Sequence, residues 1–320
     1  MLKLFNLVKE KQIYPSIFQT ANITSLYKNR GEKCDLNNDR GIFNVVKLRS
    51  ILDKLIYNQK YPIIDSNMSC SNIGARKGRN IRDHLFVINA VLHDVTTEKK
   101  KNIDIQIYDI KKCFDKMWAA ETANDMFKAG LDDDQFVLVT NSNKSCKVAV
   151  KTPWGKLTRR ETLSNIEMQG SVLTPLKCSV QIDTLGKETL ENTECGKTMF
   201  KYKDCVKIPV LTFVDDALAV TECGPASVKM NAYMTSKVDT KKLELGLSKC
   251  FKMHIGNKES SCPTLMIDGQ EMVSTNQEKY LGDIISSSAK IDENVLMRKG
   301  KGIGISNKIL SILMEVSLSF

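Results

Sequence analysis

The sequence predicts an α+β fold, and three observations carry that expectation. Ile103-Asp104-Ile105-Gln106-Ile107-Tyr108-Asp109 alternates apolar with other residues, the two-residue period of a half-buried strand. Val210 to Val214 and Ala217 to Val220 are short apolar runs split by Asp215-Asp216, the pattern of two buried strands with an acidic pair between them. Upstream, Leu48, Ile51, Leu52, Leu55 and Ile56, and then Ile81, Leu85, Ile88 and Leu92, recur at helical spacing.

Composition suits that fold. At 320 residues the chain can bury one large core or two smaller ones, and 42% hydrophobic with 26% charged residues is ordinary for a globular protein. The 47 basic against 37 acidic residues leave a net charge of +10, which favours an anionic partner. The first residues, Met1 to Lys11, are charged too often for a signal-peptide core, and no apolar stretch approaches the length of a spanning helix. Ten unclustered cysteines without a secretory leader suggest reduced thiols and an intracellular protein, in the nucleus, the cytoplasm or both.

The remaining elements follow from local signals. The second helix has a cap at Asn80 with Asp83 three residues on. Just before it, Arg76-Lys77-Gly78-Arg79-Asn80-Ile81-Arg82 holds four basic residues in seven, either a solvated loop or a phosphate-neutralising surface. The polar run Thr96 to Asn102 is the best candidate boundary. After Asp109 the chain reads as helical to Gly130, a C-terminal stop. Lys147 to Thr152 and Lys156 to Arg159 form a hairpin turning at Pro153-Trp154-Gly155. Gln169-Gly170-Ser171 opens a helix bearing Leu173, Leu176 and Val180; Gly170 removes a side chain where backbone must approach a ligand. From Ile291 onward the tail is basic and helical.

Two acidic features stand out. Asp109 falls on the same face as Ile103, Ile105 and Ile107, so it either leaves the sheet into solvent or continues the core face as a ligand. Asp215-Asp216 fits a solvent-facing turn or a cation site, because like charges side by side repel and resist burial. Together, the three carboxylates could meet across a sheet and hold two divalent cations. Hard cations such as Mg²⁺ take oxygen ligands, and a pair about 3.5–4 Å apart stabilises both the attacking and the leaving oxygen of a phosphoryl transfer. No competing metal pattern shows: His84, His93 and His254 are scattered, and no Cys-x-x-Cys pair occurs.

These residues resemble a known family. Phe213-Val214-Asp215-Asp216 is similar to the (Tyr/Phe)-x-Asp-Asp motif of reverse transcriptases, and Asp109-Ile110-Lys111-Lys112-Cys113-Phe114-Asp115 to the Asp-x-x-x-x-Phe-Asp block before it. Between them, Gln169-Gly170-Ser171-Val172-Leu173-Thr174-Pro175-Leu176 resembles a Pro-Gln-Gly-Ser-x-Leu-Ser-Pro-Leu block, with Met168 in place of proline and an added acid at Glu167. Ile23 to Gly31 with Asn38-Asp39-Arg40-Gly41-Ile42 resembles the fingertip, Gly41 replacing a proline. Ile73 to Arg79 is similar to a Gly-Phe-Arg-x-Gly-Arg block, with Ala75 where an aromatic is usual. Leu243 to Cys250 and Lys279-Tyr280-Leu281-Gly282-Asp283 resemble the later lysine block and primer grip. The match is to the reverse transcriptases of non-LTR (LINE-like) retrotransposons, over essentially the whole chain.

The resemblance implies a right-hand polymerase: fingers over 1–103, a palm over 104–285 with a fingers-like insertion around 120–168, and the start of a thumb over 286–320. The palm would be an antiparallel sheet backed by helices. The implied reaction is RNA-directed DNA synthesis from a primer 3′-hydroxyl, with Asp109, Asp215 and Asp216 holding two Mg²⁺ ions, or Mn²⁺. Lys28 and Arg40 would grip the incoming triphosphate, Lys249 would sit near its phosphates, and Phe114 would be the steric gate against a 2′-hydroxyl. Gln169 and Gly170 would line the template–nucleotide pocket. Arg76, Lys77, Arg79 and Arg82, with Tyr280, Leu281 and Gly282, would contact nucleic acid. Implied partners are an RNA template, a DNA primer, dNTPs and other parts of a larger polyprotein, with no membrane. Two alternatives use the same residues: a catalytically silent fragment that binds nucleic acid through its basic fingers, and a metal-dependent nuclease.

Overall fold

The computed structural model of the chain describes residues 1–317 apart from 30, 100, 112, 132–133, 144, 164–166, 192, 257–261 and 290–291, and omits the side chains of 98–99, 115, 193–194, 292–293 and 310–317. Arg30, Lys112, Ile291 and the side chain of Asp115, all within the blocks quoted above, lie outside the described residues.

Two sheets organise the chain. The larger has five strands in the order Val273–Ser274, Phe251–Ile255, Ile103–Asp109, Asp216–Glu222, Leu211–Phe213, antiparallel except at the Val273–Ser274 edge. Its central strand, Ile103–Asp109, is buried at all seven positions rather than half-buried as its alternation predicts. Ile103, Ile105 and Ile107 pack in one cluster with Ile88, Val91 and Leu92 of the helix Ile81–His93. The opposite face lies under the helix Pro225–Thr240. There Gln106 Nε2 donates to the Ser227 carbonyl at 3.0 Å, and the Tyr108 hydroxyl reaches Asn231 Oδ1 at 3.2 Å. Polar residues that satisfy one another inside the protein produce the same alternation as residues facing water.

The smaller sheet, Asp39–Val45, Thr20–Tyr27, Cys146–Lys151, Glu161–Leu163, joins two distant parts of the chain. Thr20–Tyr27 runs antiparallel to Asp39–Val45 and parallel to Cys146–Lys151. The expected turn at Pro153-Trp154-Gly155 is present, closed by Thr152 N to the Lys156 carbonyl at 2.8 Å, though the regular ladder resumes later than predicted, at Glu161–Leu163.

The first long helix, Lys47–Asn67, buries Leu52, Ile56 and Ile64 but leaves Leu48, Ile51 and Leu55 exposed. The predicted apolar stripe is rotated because a charged pair shares the buried face. Arg49 Nε lies 3.3 Å from Asp53 Oδ2, with Tyr14 donating to Asp53 Oδ1 at 2.6 Å and Arg49 donating to the Phe18 carbonyl and Asn143. A buried charge is tolerated when it is paired and hydrogen-bonded, as here. The second helix starts with the expected capping box: Asn80 Oδ1 accepts from Arg82 N, and Asp83 accepts from Asn80 N. Helices Cys113–Lys116 and Ala119–Lys128 follow the central strand and stop at Gly130, φ 94°. Gln277–Tyr280 and Asp283–Ser286 make a separate hairpin through Leu281 and Gly282, both at positive φ as a two-residue turn requires. The helix Asp292–Ser317 comes last. No helix among the described residues is long and apolar enough to cross a membrane.

Candidate active site

The ladder sets the carboxylates. Asp109 ends the central strand directly opposite Asp216, so both side chains leave the same face. Asp215 occupies the turn, its carbonyl accepting from Ile110 N at 2.8 Å. That turn places Val214 at φ 55°, a left-handed conformation that a β-branched residue adopts only under strain of about 1–3 kcal/mol. The surroundings hold it. Thr212 N donates to the Ser71 carbonyl and Ile73 N to the Thr212 carbonyl, which ties the 71–73 segment to the edge strand. A Cβ on Gly74 would sit 2.7 Å from Val214 N, so only glycine allows this approach.

The three carboxylates are short of positive charge. Lys249 Nζ lies 2.5 Å from Asp109 Oδ1, and a Cβ on Gly246 would fall 2.7 Å from Asp109 Oδ2. Burial raises the Asp215 carboxyl above its usual range, with Asp109 adding to the rise and Lys249 and Arg40 opposing it. Asp216 is pushed up to about 7 by burial, then by Asp215 and Asp109. An oxygen-only donor set with one lysine against three acids fits a hard divalent cation.

A cleft of about 980 Å³ opens beside them, and it gathers the nucleotide-site candidates: Lys28, Arg40, Phe114, Gln169, Gly170 and Lys249 all line it with Asp109 and Asp215. Asp216 is not among its lining residues; burial, with the Asp216 charge adding to it, raises the Tyr280 hydroxyl of the hairpin. Lys28 and Arg40 come from the smaller sheet and its connection, with Asp39 beside them, so both sheets bring charged side chains to the cleft. Phe114 lines the cleft while packing against the core cluster that contains Met117; Trp118 is half exposed, with Lys242 over its ring. Gly170 is needed for a reason different from the one expected. At φ 109°, a Cβ there would meet the Phe43 carbonyl at 2.7 Å, and Phe43 N donates to the Gln169 carbonyl. The close approach is to the chain's own strand.

Sequence reasoning missed what holds this loop. Glu167 is buried, with Lys177 Nζ 2.9 Å away, Asn143 Nδ2 donating at 2.5 Å and Thr174 Oγ1 at 3.2 Å. Met168 fills the core of the smaller sheet with Phe43, Cys146 and Val148. The departures from the motif at 167 and 168 are therefore an anchor. Nothing in the spacing of Glu167 and Lys177 announces it.

The basic segment divides. Arg76 is turned inward, against the expectation of a phosphate contact: its guanidinium bonds Asp65 Oδ1 and the carbonyls of Asp65, Ser69 and Asn72. Lys77 lies over the rings of Tyr57 and Tyr61. Arg79 and Arg82 are exposed. Tyr280 is buried against His84, whose pKa burial lowers to about 4. The neutral ring therefore donates from Nε2 to the Ser71 carbonyl and accepts the Tyr280 hydroxyl at Nδ1.

Acidic residues at adjoining strand ends thus share one cleft with Lys28, Arg40 and Lys249, over a sheet backed by helices. Residues 33–285 match the family described as reverse transcriptase (RNA-dependent DNA polymerase). The chain belongs to that family. No curated protein matches the sequence. Among solved structures it is similar to apo telomerase from Candida tropicalis truncated from the C-terminal domain, at TM-score 0.56 and 15% identity over 89% of this chain and 58% of that one. Apo telomerase from Candida tropicalis gives TM-score 0.58 and 12% identity over 90% and 52%. The chain thus spans a little over half of each, and the likeness is one of fold.

Proposed function

We propose that this chain is the fingers, palm and first part of the thumb of a non-LTR retrotransposon reverse transcriptase, extending a primer 3′-hydroxyl with dNTPs on an RNA template. The observation that carries it is the meeting of Asp109 and Asp215 with Lys28, Arg40 and Lys249 around one cleft. Asp109, Asp215 and Asp216 would hold Mg²⁺ or Mn²⁺, which when bound activates the primer hydroxyl and neutralises the triphosphate. Lys28 and Arg40 bind the triphosphate, Arg40 through a planar fork suited to phosphate oxygens. Phe114 excludes a 2′-hydroxyl, Gln169 and Gly170 bound the template–nucleotide pair, and the Tyr280–Gly282 turn steadies the primer end beside Asp216. Lys77, Arg79 and Arg82 meet template phosphates. On this reading the chain works in the nucleus, the cytoplasm or both, with other segments of a larger polyprotein as partners.

Primer extension tests it directly. The expected result is elongation on an RNA template with Mg²⁺ and all four dNTPs, and none without the divalent cation. RNA binding without elongation, under conditions where Tm shows a folded chain, would instead support the silent nucleic-acid binder.

A further inference from the structure

Five residues before the catalytic Asp109, on the opposite face of the same strand and roughly 17 Å away along it, Asp104 is wholly buried. Its Oδ2 accepts from Ser227 Oγ at 2.5 Å. Its Oδ1 is met by two further groups, His254 Nδ1 at 2.8 Å and Cys223 Sγ at 3.6 Å, and Cys223 Sγ lies 3.5 Å from His254 Nδ1. Three ligand-type atoms therefore form a triangle with edges of 2.8, 3.5 and 3.6 Å. A tetrahedral zinc, with bonds of about 2.0 Å to N or O and 2.3 Å to S, separates neighbouring ligands by about 3.3–3.5 Å. Two edges already have that length, and the third needs to open by about half an ångström.

The three residues come from adjacent strands. His254 stands directly across the ladder from Asp104, and Cys223 follows the last residue of Asp216–Glu222. The half-buried Cys262, which hydrogen-bonds Asp104, lies outside this triangle and would have to close on it to supply a fourth donor.

We propose that Asp104, Cys223, His254 and Cys262 form a structural zinc site that clamps the three central strands at the end remote from the catalytic carboxylates. Thiolate and imidazole donors select zinc over the Mg²⁺ suited to the all-oxygen site. The scattered positions of these residues in the sequence hide the site, since each ligand sits on a different strand or loop. The competing account is an Asp104–His254 ion pair capped by Ser227, with both thiols packed as small apolar groups. That account needs nothing from sulfur.

Cobalt distinguishes the two. The full chain is titrated with Co²⁺ in excess Mg²⁺, which occupies the catalytic carboxylates. We expect one equivalent bound with a thiolate-to-cobalt charge-transfer band and tetrahedral visible bands, both lost when Zn²⁺ displaces it. Cys223→Ser should weaken the band and lower zinc affinity at least tenfold, whereas Asp109→Asn should leave the spectrum unchanged. A cobalt spectrum without a thiolate band, or one that Asp109→Asn abolishes, would overturn the proposal. If Cys223→Ser does not fold, chelation of the wild-type chain decides: zinc removal should lower Tm and zinc alone should restore it. An unchanged Tm would reject the site.

Discussion

Among the described carboxylates, Asp216 carries a clear pH signature. Its folded pKa, about 7, lies above the ordinary carboxylate value, so the folded chain holds this proton longer than the unfolded one. Stability from this group is therefore full at low pH and is lost as pH rises toward 7. Asp216→Asn should raise Tm at pH 8 in chelator, and the gain should vanish near pH 4 and shrink with Mg²⁺; a scan of Tm against pH checks it. On the proposed function, Asp109→Asn and Asp215→Asn should each abolish primer extension with little loss of Tm, since they would remove cation ligands rather than core packing. Phe114 both lines the cleft and packs on the core. Phe114→Val should raise the ratio of ribonucleotide to deoxyribonucleotide kcat/KM. Lost packing of about 1–4 kcal/mol depresses both substrates together and leaves that ratio unchanged. At this scale the sequence placed the Asp pair at the junction of two short buried strands, a pattern read from Val210 to Val220. It was silent at Glu167, whose partners Lys177, Asn143 and Thr174 become neighbours only through the fold.

Among the elements, the helix Ile81–His93 was legible down to its capping box because a cap is a local device read within four residues. The helix Lys47–Asn67 was placed by its period, yet the stripe it buries was misjudged, since Arg49 and Asp53 look like surface residues until Tyr14, Phe18 and Asn143 are brought to them. The central strand shows the same limit, its buried polar face reading as exposed. The basic segment before Ile81 divides likewise. Arg76→Ala should cost about 1–3 kcal/mol by leaving the part-buried Asp65 and three carbonyls without their donor, visible as a fall in denaturation midpoint. Replacing Arg79 and Arg82 together should leave that midpoint alone. It should flatten the slope of log RNA affinity against log salt by about 1.4–1.8, at roughly 0.7–0.9 per phosphate contact.

For the molecule as a whole, the order of motifs along the chain pointed to the groups that share one cleft, but not to what seats the loop before the helix Thr174–Glu191 on the smaller sheet. That contact is Gly170 against Phe43, with the Glu167–Lys177 pair behind it. Gly170→Ala should strain a backbone at φ 109° and press on the Phe43 carbonyl. We expect a lower Tm together with a higher KM for dNTP, because Arg40 is carried by the strand that this contact positions; unchanged steady-state kinetics would argue against such coupling.

The parallel pairing of Thr20–Thr24 with Lys147–Lys151 has a consequence for biosynthesis. The partners are 127 residues apart, so the hairpin of Thr20–Tyr27 and Asp39–Val45 emerges long before its third strand exists. At translation rates of about 5–20 residues per second, one edge of Thr20–Tyr27 stays unpaired for about 6–25 seconds. An open strand edge invites pairing with another nascent chain. Slow elongation through that stretch should therefore favour aggregation over folding, and co-expression of a chaperone that shields the N-terminal hairpin should raise the yield of correctly assembled protein.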